Sequence, residues 1–203
     1  MNNCYLDAEA VITFFRMTGR KHIFITGSRG SGKSHLVNNM LKHMSDSFNL
    51  LQSHRTDTPQ VVIKSNLVAD NKEFVIGVPR TSGINPASKG NNMTIIEDGF
   101  INCAIPAIDT HLDTTPERLF VIDELGYLES SCIPFQKAVE KLLDNSHVLA
   151  VIRKQSTEFL NRICNRKDVL VIDIDNTFET LSCIIMASGM SKRFGSNKLI
   201  TDF

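Results

Sequence analysis

The segment His22-Ile-Phe-Ile-Thr-Gly27-Ser-Arg-Gly30-Ser-Gly32-Lys33-Ser34 constrains what this chain can fold into more than any other. A short run with strand character ends at closely spaced glycines, and a lysine and a serine then open an apolar-periodic helix. The spacing is G-x-x-x-x-G-K-[ST], in the strand, loop and helix context that the pattern requires. Glycines at 27, 30 and 32 permit left-handed and tight backbone conformations that a side chain obstructs, so successive amide N–H groups can converge on one anion. The helix beginning near Lys33 adds its positive end. Lys33 is placed to reach the β and γ phosphates of a nucleotide as a point charge. The Ser34 hydroxyl is placed to ligate a magnesium ion bridging the same groups. At average residue frequencies the pattern arises by accident in a chain of this length less than about once in a hundred. Arg29 reads as a solvated loop residue.

A magnesium nucleotide site needs a second anchor for the metal. Leu119-Phe-Val-Ile-Asp123-Glu124 supplies four apolar strand residues ending in two carboxylates. Ligands of open α/β sheets collect at the carboxyl ends of strands, and there Asp123 is expected to hold the ion through a coordinated water. Glu124 points to the other side of the strand end and is the candidate general base for an attacking water. Basic residues follow further on, with Arg153 and Lys154 after His147–Ile152, and Arg162, Arg166 and Lys167 around the next helix end. Each is either a cationic finger for the γ-phosphate or a solvated helix end favoured by the dipole. The six histidines offer no nucleophile or ligand pair, and His111 and His147 read as structural.

The strand runs recur at Leu119–Ile122, His147–Ile152, Val169–Ile174 and Cys183–Ala187, short and apolar throughout, as suits parallel strands buried on both faces. Helical patterns at Ser34–Met44, Pro134–Leu143 and Thr157–Cys164 alternate with them. The expected fold is therefore α/β, a three-layer sandwich around a mostly parallel sheet. From about Asn49 to Thr115 the pattern changes: strand-like pieces at Val61–Lys64 and Phe74–Val78 predict a β-hairpin insertion, followed by a polar loop over Thr81–Met93. Residues 1–20 predict an extra N-terminal helix with Leu6, Ala10, Val11, Phe14 and Met17 on one face.

Composition narrows the class. At 203 residues, against roughly 150 per domain, the chain holds one domain with a remainder. Lys plus Arg equals Asp plus Glu at 22 each, which disfavours a nonspecific nucleic-acid coat or an anionic-membrane binder. The five scattered cysteines lack metal or disulfide spacing and read as reduced thiols. With no apolar run of about 18 residues, and with Asp7 and Glu9 where a leader needs basic residues, a cytoplasmic location is expected.

At these residues the chain resembles the P-loop nucleoside-triphosphatase family of thermophiles, known in mammals as cancer-related nucleoside-triphosphatase. The resemblance spans roughly Lys21 to Ile174. It rests on Ile23–Ser34, on Phe120-Val-Ile-Asp-Glu-Leu-Gly126 with Leu128-Glu129 and the Phe135, Ala138, Val139 helix, and on Asn165-Arg-Lys-Asp-Val169. The segment Asp98–Ala107 also looks like the family's helix leading toward the second motif. The resemblance implies magnesium-dependent hydrolysis of ATP, GTP or other NTP to NDP with broad base tolerance. It places Gly27, Ser28, Arg29, Gly30, Ser31, Gly32, Lys33 and Ser34 on the phosphates and Asp123, Glu124, Leu125 and Gly126 beside them. Departures are Tyr127 where a lysine usually follows the second-motif glycine, His35 for a usual Thr, and the extra N-terminal helix.

A second resemblance lies in the tail. Ile184-Ile-Met-Ala-Ser-Gly189-Met-Ser191-Lys-Arg193-Phe-Gly195-Ser-Asn-Lys198-Leu199 is similar to the opening strand and loop of molybdenum-cofactor-type nucleotidyltransferases. It implies an NTPase domain over residues 1–178 and, over 179–203, the truncated start of a transferase domain belonging to a fused or partner protein. The alternative is a closing strand with a frayed tail. Two other functions use the same loop: a small-molecule or nucleotide kinase with an acceptor pocket built from Asn49–Thr115, and a nucleotide-dependent adaptor for cofactor biosynthesis.

Overall fold

A computed structural model of the protein describes residues 6–44, 47–68, 72–80 and 93–176. Their strands are β1 (His22–Gly27), β2 (Phe48–Arg55), β3 (Val61–Ser65), β4 (Phe74–Pro79), β5 (Met93–Ile95), β6 (Leu119–Leu125), β7 (His147–Arg153) and β8 (Val169–Asp173). They form one sheet in the order β5-β4-β3-β2-β6-β7-β1-β8. The run β2-β6-β7-β1-β8 is parallel throughout, and β3, β4 and β5 continue it antiparallel from β2.

Apolar side chains on both faces of the central strands require cover on both. On one face, Ile23, Ile25, Val121, Leu149 and Val151 pack beneath α1 (Ala8–Thr18) and α2 (Lys33–Met44). On the other, Phe24, Phe120, Ile122, Val148 and Ala150 pack in one core with residues of α5 (Ile133–Asn145) and α6 (Glu158–Cys164). That core also takes in the helical stretch made of α3 (Glu97–Gly99), a π-helical turn (Phe100–Ala104) and α4 (Ile105–Thr114). This is the expected three-layer α/β architecture. The π turn fits Pro106, which has no N–H to give an α-helical bond. A β-carbon at Gly99 would collide with the Val75 carbonyl, so glycine lets this helix close on β4.

Two elements depart from expectation. Phe48–Arg55 is a parallel strand beside β6 rather than part of a hairpin excursion. Only Phe48, Leu50 and Leu51 are apolar in it, so its pattern is too short for periodicity to register. The hairpin itself, β3 with β4, is present, but β2 joins it to the main sheet. At α1, Val11 is buried and Leu6 and Phe14 pack partly buried as expected, joined by Ala8, Ile12 and Phe15, while Ala10 and Met17 face solvent. The docking face centres on the stripe Ala8, Val11, Ile12 and Phe15, so it is wider than expected on one side and stops short of Ala10 and Met17. Asp7 caps its start and Gly19, at φ +64°, ends it.

Residues 81–92 of the predicted polar loop, the strand Cys183–Ala187, the boundary at 178 and the transferase-like tail lie outside the described residues. Among the described residues no helix is long and apolar enough to cross a membrane. Cys103, Cys132 and Cys164 are free thiols.

Candidate active site

Parallel pairing brings the carboxyl ends of β1, β7, β6 and β2 to one edge of the sheet, where ligands of such sheets bind. There β1 runs into the loop 28–32 and then α2. Gly30 and Gly32 hold φ of +78° and +94°, in the left-handed region. Gly27 is required by space as well as by its φ of +154°: a β-carbon there would lie 2.7 Å from Ile174 Cγ1 and 2.9 Å from Ser31 Oγ. The Lys33 ammonium donates to the carbonyls of Gly27 (2.9 Å) and Ser28 (2.8 Å), so its charge stays over the loop.

Asp175, just beyond β8, accepts from the Ser28 amide (2.7 Å) and Ser28 hydroxyl (3.0 Å). Lys154 at the end of β7 bridges Asp173 and Asp175 at 2.8 and 3.1 Å. The near side of the phosphate loop is thus clamped by residues from two neighbouring strand ends.

On β6, Asp123 stands in register with Gln52 of β2 and Val151 of β7. Burial pushes its carboxyl above the ordinary value, opposed by the hydrogen bond from Gln52 Nε2 at 3.4 Å. Glu124 is held by Arg153 in a fork, Nε to Oε1 at 3.0 Å and Nη2 to Oε2 at 3.2 Å. Glu129 is 5% exposed. It accepts from the Gly126 amide at 2.9 Å and the Ser53 hydroxyl at 3.3 Å, and burial pushes its carboxyl up to about 6. A β-carbon on Gly126 would sit 3.4 Å from Arg153 Cδ and 3.5 Å from Glu129 Oε2, in ordinary contact with both side chains.

Of these groups all but Gln52, Asp173 and Asp175 line one cleft of about 860 Å³. The structure brings together there Gly27, Ser28, Arg29, Gly30, Ser31, Gly32, Lys33, Ser34, Asp123, Glu124 and Gly126. Leu125 is fully buried in the core, its side chain away from the cleft. Of the basic residues weighed as fingers, Arg153 and Lys154 line the cleft. Arg162 instead pairs with Glu140, and Arg166 with Asp144 and Asp168. His111 is structural, buried between Asn49 and Ser146. Sequence reasoning missed Gln52, Ser53 and Asp175, and quoted Glu129 within the resemblance without giving it a role. For Gln52 and Ser53 the available signal was polar residues closing a strand-length segment after the loop's own helix.

An NTPase family profile matches residues 22–182 of this chain. The chain belongs to the NTPase family. Curated relatives include the nucleoside-triphosphatase THEP1 of Thermotoga sp. (strain RQ2), 26% identical over 155 residues that cover 75% of this chain and 86% of the relative. The protein of the same name from Thermotoga maritima is 23% identical over 154 residues, covering 75% and 86%. Two solved structures share the fold of this NTPase. The crystal structure of THEP1 from the hyperthermophile Aquifex aeolicus aligns with a TM-score of 0.60 at 18% identity, covering 76% of this chain and 91% of that one. The solution structure of a human cancer-related nucleoside triphosphatase aligns at 0.56 and 20% identity, covering 78% and 92%.

Proposed function

We propose that this NTPase hydrolyses nucleoside triphosphates to diphosphate and phosphate, with magnesium and with broad base tolerance. The observation that carries this reading is the convergence, in one cleft, of the glycine loop, Lys33 and Ser34 with the two carboxylates ending β6. The grip is on polyphosphate, which every nucleoside triphosphate shares, and this supports base tolerance. Curated relatives named nucleoside-triphosphatase support the reaction class.

The donor set suits magnesium. Ser34 and Asp123 offer one hydroxyl and one carboxylate, hard oxygens of the kind that hold this ion beside substrate phosphates and water. Burial leaves the Asp123 charge under-compensated, which a divalent cation would offset. When bound, magnesium neutralises charge on the β and γ phosphates. The loop amides and the start of α2 orient the phosphates, and Lys33 moves its ammonium from the loop carbonyls onto them. Glu124 takes the proton of the attacking water. Asp175 and Lys154 keep the loop in shape without touching the reacting atoms.

Phosphate release from MgATP and MgGTP tests this reading. It is expected to stop when the metal is chelated and to fall about a hundredfold or more in Glu124→Gln, the usual range for a lost general base. Full turnover in either condition overturns it. A second reading, phosphoryl transfer to an acceptor, is favoured by Ser53, His54, Arg55 and Val61, which extend the same cleft beyond the phosphate loop. Labelled γ-phosphate appearing on a metabolite rather than in water would establish it. A nucleotide-dependent adaptor would instead bind tightly with turnover indifferent to Glu124→Gln.

A further inference from the structure

The general base assigned above is not free. Both of its carboxylate oxygens are taken by the Arg153 fork. A guanidinium presents the same paired donors to a carboxylate and to a phosphate, so the pair can be opened by a phosphate group placed within reach of Arg153.

The sheet puts that arginine where a triphosphate would meet it. Strand β7 lies between β1 and β6, and Arg153 is in register with Gly27, the first glycine of the phosphate loop. Its side chain therefore spans from the loop toward Glu124. The pair is only partly covered, 43% exposed on Arg153 and 28% on Glu124, so exchange of one anion for another carries no burial barrier. The arginine stem runs alongside Gly126 of the second motif, where a β-carbon would lie 3.4 Å from Arg153 Cδ. Buried Glu129 and partly buried Glu124 both attract the Arg153 charge.

We propose that Arg153 is a latch on Glu124 operated by the γ-phosphate. It masks the base until a triphosphate is seated, then transfers its fork to the γ-phosphate and leaves the carboxylate facing water. A diphosphate has no group at that position and leaves the latch closed. This rests on the reading of Glu124 as general base. In the step itself, a water oxygen bonds to the γ-phosphorus. The bond from that phosphorus to the β-bridging oxygen breaks, its electron pair leaves with the diphosphate, and the water proton goes to the released Glu124. Arg153 stabilises the developing charge.

The test is a double-mutant cycle read by calorimetric binding of a nonhydrolysable MgATP analogue and of MgADP to the full chain. Glu124→Gln removes the competing anion and is expected to tighten the triphosphate analogue about fivefold, equivalent to an ion pair of about 1 kcal/mol. MgADP affinity stays within about twofold, which also reports that each variant is folded. Arg153→Ala weakens the analogue about tenfold, as for a lost charge-assisted phosphate contact, and Arg153→Lys recovers part of this. In the Arg153→Ala background, Glu124→Gln no longer tightens anything. Tightening that persists without Arg153, tightening of MgADP to the same extent, or no tightening at all overturns the latch. Turnover separates the two ideas. Lost turnover in Glu124→Gln without nucleotide-selective coupling sustains the base and overturns the latch. Coupling with undiminished turnover sustains the latch contact and overturns the base.

Discussion

Glu129→Gln is expected to make the protein more stable at neutral pH while lowering its activity. Glu129 is 5% exposed, and burial raises its carboxyl from an ordinary 4.5 to about 6, against the favourable Gly126 amide and the Arg153 charge. For an acid whose folded value lies above its unfolded value, the folded state holds the proton more tightly. Stability is then greatest below about 4.5 and is lost as pH rises through about 6. The shift corresponds to about 2 kcal/mol of destabilisation by the ionised form at pH 8. Glutamine has nearly the same shape, keeps a carbonyl for the Gly126 N–H and can donate to Ser53, so it imitates the protonated acid. Urea unfolding of both proteins at pH 4.5 and pH 8 should give nearly equal stability at the lower pH. At the higher pH the variant should lead by about 1–2 kcal/mol, and taking the difference between proteins cancels every other titrating group. Phosphate release should fall, because the charge that holds Arg153 and the Gly126 amide is gone. A variant less stable than the native protein at pH 8, or one that gains equally at both pH values, would refute the reasoning.

Burial holds the imidazole of His22 down to about 4, although the Asp168 carboxylate lies 3.4 Å away, and neither ring nitrogen makes a hydrogen bond. Its folded value lies below the unfolded 6.5, so this contribution is complete above about 6.5 and falls by up to about 3 kcal/mol as pH drops to about 4. His22→Leu should flatten that acid limb in a thermal-melt series, and an unchanged limb would contradict the assignment. Gly30→Ala, with open space around its β-carbon, should cost about 1 kcal/mol through its positive φ alone. Gly27→Ala, which meets Ile174 and Ser31, should cost about 2–3 kcal/mol and weaken nucleotide binding; equal effects in unfolding and binding assays would be wrong for this loop. Ser146→Ala leaves the buried His111 Nε2 without its 2.7 Å partner and should cost about 1–3 kcal/mol in urea unfolding, with phosphate release unchanged.

The parts of the site legible in the sequence are those dictated by local backbone chemistry. Gly27, Gly30 and Gly32 must be glycine for conformational or steric reasons that act within a few residues. Asp123 and Glu124 announce themselves because four apolar strand residues precede them. The alternating strands and helices were legible for the same reason, since each carries its own period. What escaped is made by neighbours distant in the chain. Ser53 meets Glu129 because β2 lies beside β6, and nothing within Phe48–Arg55 states that pairing. Asp175 meets Ser28 because β8 lies beside β1. Glu129 looks like an ordinary loop acid until the fold buries it. Arg153 was legible as a candidate finger, but its fork on Glu124 depends on β7 lying between the two motifs.

The central claim is that the loop opening α2 grips polyphosphate through main-chain donors and the Lys33 ammonium. Titration calorimetry of MgATP into the native protein and into Lys33→Ala tests it most directly, with thermal unfolding as the check that the variant is folded. Saturable heat is expected from the native protein, with affinity reduced about a hundredfold or more in the variant, equivalent to about 3 kcal/mol. Equal affinity in the two proteins, or no saturable heat from the native one, would contradict it.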